Sequence, residues 1–88
     1  MNESQRKQAA SRGYGVKKVI HTAKILHDGW EMDNEGWIVE LDGGRRAALT
    51  TNHGGVTPWT RQEAEQKLAE TEASAASLRK ALELWPED

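Results

Sequence analysis

Residues 49–60, LTTNHGGVTPWT, come nearest to a catalytic constellation. His53 follows Thr50, Thr51 and Asn52 and precedes Gly54 and Gly55. In that order the imidazole could act as a general base, a threonine hydroxyl as nucleophile and the glycine amides as an oxyanion hole. The His-Gly-Gly run is similar to one in some esterases, but their nucleophile sits in a G-x-S-x-G elbow. This chain has no such elbow, and its serines (Ser4, Ser11, Ser74 and Ser77) stand in other settings. Asparagine and glycine are also what a turn between a strand and a helix calls for. The stretch is therefore read as a loop carrying no catalytic residue, and the protein as a binding protein rather than an enzyme, with Asn52 and His53 among its partner contacts.

Metal chemistry has little to build on. The histidines are His21, His27 and His53, and there is no cysteine. No pair has the i,i+4 spacing that puts two ligands on one helical face. His21 and His27 would point the same way only on a strand, and no carboxylate is placed beside them. No metal or cofactor is expected.

Charge is more informative. Residues 1–27 carry six basic side chains against one acidic, a net of +5; residues 28–88 carry six basic against thirteen acidic, a net of −7. In the basic segment QRKQAASRGYGVKK, Arg12, Lys17 and Lys18 could neutralise phosphates and Tyr14 could stack on a base. The chain is acidic overall and has no named nucleic-acid motif, so direct nucleic-acid binding is the alternative reading and a solvated arm the preferred one. Glu31, Asp33, Glu40 and Asp42 alternate along strands, and alternate side chains stand about 6.6 Å apart. That repeat is loosely similar to a line of phosphates, so these four are the expected contacts to a basic partner surface. The plainer reading is the solvated face of a half-buried sheet.

The elements that must position these groups follow from periodicity. Residues 1–12 tolerate a helix but lack an apolar stripe, and Gly13 and Gly15 follow, so residues 1–15 read as a flexible basic arm ahead of a single domain over 16–88. Val16, Val19, Ile20, Ala23 and Leu26 fit the 3.6-residue period and predict a helix over 16–27, against a competing strand in which Val19, His21, Ala23 and Ile25 alternate. Trp30 and Met32, then Trp37, Val39 and Leu41, then Ala47 and Leu49 alternate with polar residues across the turn signals DNEG and DGGR. They predict a three-stranded antiparallel meander with those residues buried on one face and the acidic four exposed on the other. Thr60 and Glu63 fit a capping box. Ala64, Leu68, Thr71, Ala75, Leu78, Leu82 and Trp85 then line one face of a helix over 60–85, closed by Pro86, with Glu63 and Lys67 as an i,i+4 pair. The expected fold is α+β: an N-terminal helix, the meander and a long C-terminal α-helix packed on it. That helix would run about 39 Å, whereas strands of this length reach about 20 Å. Leu78, Leu82 and Trp85 are therefore candidates for a homodimer contact.

Length and composition set the frame. Eighty-eight residues with four tryptophans and no phenylalanine make one domain with a few large anchors. The N-terminal residues lack the apolar core of a signal peptide, and no apolar run nears the roughly 20 residues that span a bilayer. A cytoplasmic protein is expected.

From Trp30 through WIVELDGGRRAALTTNHGG to Trp85, the organisation resembles that of small accessory proteins of phages and other mobile elements, anti-CRISPR inhibitors among them. Size, compactness, charge and the lack of catalytic residues carry the resemblance, so no functional residues transfer with it. It implies a stoichiometric blocker that docks on a larger host protein or nucleoprotein complex.

Overall fold

The computed structural model describes residues 1–25, 34–52, 55–70 and 75–86. A helix, α1 (Glu3–Ser11), leads into the strands β1 (Val16–Ile25), β2 (Asn34–Leu41), β3 (Arg46–Asn52) and β4 (Gly55–Pro58), and two helices follow, α2 (Arg61–Glu70) and α3 (Ala75–Glu83). The strands form one antiparallel sheet in the order β1-β2-β3-β4. The class is α+β, as expected, with a four-stranded meander in place of three strands. The strand expected at Trp30 and Met32 lies outside the described residues.

The helix expected over 16–27 is instead strand β1, and the register explains the misleading period. Val16 pairs with Leu41 but Lys18 with Glu40, and Val19 pairs with Val39 but His21 with Ile38. Each step takes two residues on β1 and one on β2, so Lys17 and Ile20 are surplus, as in a β-bulge. The apolar positions 16, 19, 20 and 23 thus mimic helical spacing while serving two faces. Val16 and Val19 join the cluster of Trp37 and Val39, whereas Ile20 and Ala23 join that of Ile38.

Both faces of the sheet are covered. On one, Trp37, Val39, Leu49 and Val56 are buried together with Ala9 of α1. The segment read as a basic arm therefore supplies a helix to the core. Its start is fixed by a capping box: Asn2 Oδ1 accepts from the Gln5 amide and Gln5 Oε1 from the Asn2 amide, both at 2.8 Å. On the other face, Ala23 and Ile38 are buried with Trp59, Ala64, Leu78 and Ala81. This second face was expected to be open and acidic; Ile38 is fully buried on it, beneath α2 and α3.

The continuous helix expected over 60–85 is also corrected. The Trp59 and Trp85 rings, just before α2 and just after α3, have centroids 5.1 Å apart. One straight helix would hold them about 39 Å apart, so the two helices double back. Folding the seam this way brings Leu68, Leu82, Leu84 and Trp85 against the same cluster and removes the mismatch with the sheet. Thr60 Oγ1 accepts from the Glu63 amide at 3.2 Å, and its hydroxyl bonds the Glu63 carboxylate at 2.9 Å. Lys67 pairs with Glu70 at 3.4 Å rather than with Glu63.

Geometry requires glycine at positions 44 and 36, for different reasons. Gly44, in the turn between β2 and β3, has φ +85° and donates to the Leu41 carbonyl. Gly36, on β2, lies under the Trp59 indole so closely that a Cβ there would collide with ring carbons. The radius of gyration, 12.4 Å, is that of one compact unit of this length, about 12 Å. No helix among the described residues is long and apolar enough to cross a membrane.

Candidate functional site

The hydroxyls proposed as nucleophiles are used by the sheet. Thr50 is buried, and its Oγ1 donates to the Glu35 carbonyl at 2.9 Å. The Glu35 amide in turn donates to Thr51 Oγ1 at 3.2 Å. These bonds fasten the start of β2 to β3, which suits β-branched hydroxyl residues on a pleated surface. His53 and Gly54 lie outside the described residues. Asn52 ends β3 and pairs with Gly55, so residues 55–58, expected as loop, continue the sheet as β4.

His21 has a structural partner. Its Nε2 lies 2.9 Å from the Ser77 carbonyl oxygen of α3. A carbonyl can only accept, so Nε2 carries the proton. The bond ties β1 to α3 across the covered face. His27 lies outside the described residues, among which no group of three or more His, Cys, Asp or Glu is placed to hold a metal ion.

Of the four acidic residues, the structure describes Glu40 and Asp42. Glu31 and Asp33 lie outside the described residues. Glu40 sits near the end of β2 with Lys18 opposite it on one side and Arg46 on the other. Its carboxylate is 4.0 Å from Lys18 Nζ. Asp42 is exposed in the following turn, and its amide donates to the Gly15 carbonyl at 2.9 Å. Glu40 thus belongs to a basic setting.

That setting is the arrangement the sequence reading missed. The antiparallel register brings the start of β1 beside the end of β2 and the start of β3. Lys17 and Lys18 come to the same end of the sheet as Arg45 and Arg46, and all four are exposed. Arg12, at the C-cap of α1, is exposed just upstream. Tyr14 is half-buried against the Trp37 cluster, so its ring is engaged by the core rather than offered to a base. Reading 16–25 as a strand would have revealed the cluster, because an antiparallel β1 next to β2 places these segments side by side.

The proposed dimer contacts lie in the intramolecular core. Leu78 is fully buried, and Leu82 and Trp85 pack half-buried against its cluster. Comparison with known protein families, curated proteins and solved structures finds no match for this chain.

Proposed function

We propose that this protein is a small non-catalytic regulator that docks on a larger host protein or nucleoprotein complex, such as a CRISPR–Cas effector, and blocks a site there. The observation behind this reading is the use of the Thr50 and Thr51 hydroxyls. Both bond the Glu35 backbone, so the two threonines that precede His53 in the sequence serve architecture. The surface supplies binding chemistry instead: a sheet packed on both faces, with charged residues grouped along its rim. In this reading Asp42, exposed in the β2–β3 turn, is an acidic contact to the partner together with Glu40, and Asn52, which ends β3, and His53, next to it in sequence, are further contacts.

The test is a defined complex. The tagged chain, mixed with a purified candidate effector, should co-elute on size exclusion at fixed stoichiometry. A Glu40→Lys/Asp42→Lys variant should weaken that complex without unfolding. Ester or peptide turnover by the purified chain that disappears in His53→Ala would overturn the proposal.

A further inference from the structure

We propose that the end of the sheet carrying Lys17, Lys18, Arg45 and Arg46 is a docking surface for the sugar–phosphate backbone of a nucleic acid. It goes beyond the protein-docking reading and does not need it.

Three observations carry this. The first is the charge balance. Among the described residues of this end of the sheet, Lys17, Lys18, Arg45 and Arg46 gather with Glu40 and Asp42, four positive against two negative, on a chain whose net charge is −2. The second is openness. The helical layer covers Ile38 and Ala48 but stops short of the next cross-strand row, Lys18–Glu40–Arg46. The Lys18 side chain is 67% exposed although it reaches Glu40. One carboxylate between two cations leaves a net positive row whose outer members are about two strand spacings, roughly 10 Å, apart. The third concerns the kind of anion. A polypeptide could also dock here by adding a strand to the edge of β1. That edge is interrupted here by the surplus residues Lys17 and Ile20, which break a regular ladder. What is left is an exposed surface of charge, and a repeating phosphate line matches its sign. Phosphate contacts of this kind give affinity without base reading.

The experiment uses the full chain and fluorescein-labelled 20-mer oligonucleotides, single-stranded and duplex, followed by anisotropy across a salt series. Binding is expected in the range of about 1–100 μM near physiological salt, tightening as salt falls. Arg45→Glu/Arg46→Glu and Lys17→Glu/Lys18→Glu should each weaken binding by at least about tenfold. Each should also flatten the duplex salt dependence by nearly two units of log–log slope, about 0.9 per lost phosphate contact. Arg79→Glu/Lys80→Glu on α3 should bind like the parent, and circular dichroism should show every variant folded. No binding at low salt, or an Arg45/Arg46 variant that is folded and binds as the parent does, overturns the proposal. Equal affinity for a poly-glutamate of matched length also overturns it, in favour of an acidic polypeptide. Since no protein partner is present, failure here leaves the docking reading to its own test.

Discussion

Position 36 shows how a single atom can set a layer. Any side chain on Gly36 would strike the Trp59 indole, which closes the core between the sheet and the paired helices. Gly36→Ala should therefore cost about 1–3 kcal/mol through overpacking. The loss should shrink when Trp59→Leu is introduced alongside, because the collision is with ring carbons. A double-mutant cycle by urea unfolding measures the coupling; additive costs would refute it. The neighbouring Thr50 and Thr51 show why the candidate site was only half legible. Residue types announce what a hydroxyl can do, but not that its bond is already made to the Glu35 backbone. Likewise, nothing in the spacing of Arg12, Lys17 and Lys18 points to Arg45 and Arg46, about thirty positions later in the chain.

Among the elements, β2, β3 and the turn between them were plain in the sequence, because Trp37, Val39, Leu41, Ala47 and Leu49 alternate without interruption. β1 was not, since its two surplus residues turn a period of two into something close to 3.6. The helices after the sheet were half legible. Their shared apolar face was evident, yet residues 61–85 contain neither glycine nor proline, and nothing marked a reversal. The reversal makes a sharp distance prediction. With no native cysteine, spin labels at Gln62→Cys and Glu83→Cys report on one pair alone. They should lie well below the about 32 Å that twenty-one residues of continuous helix would impose. A distance near that value would refute the folded-back pair.

Across the whole molecule, the sheet is held between two separate cores, and neither is large. α1 contributes one buried side chain, Ala9, but it closes the face that holds Trp37, Val39, Leu49 and Val56. Removing residues 1–12 should therefore lower the thermal midpoint by several degrees and shift tryptophan emission to the red, as Trp37 meets water. An unchanged spectrum and midpoint would show that α1 is dispensable to the core. The same architecture decides how copies of the chain treat one another. A sheet has two borders, and each is an invitation to fibrils when long, flat and apolar. Here one border is crimped twice and bristles with Lys17, Lys18 and Lys24, while the other is the four-residue β4, ending in Pro58 with no amide to offer. Among the described residues, neither rim offers the long, flat, apolar edge on which strands of another copy would stack, so the fold disfavours edge-to-edge pairing at both borders.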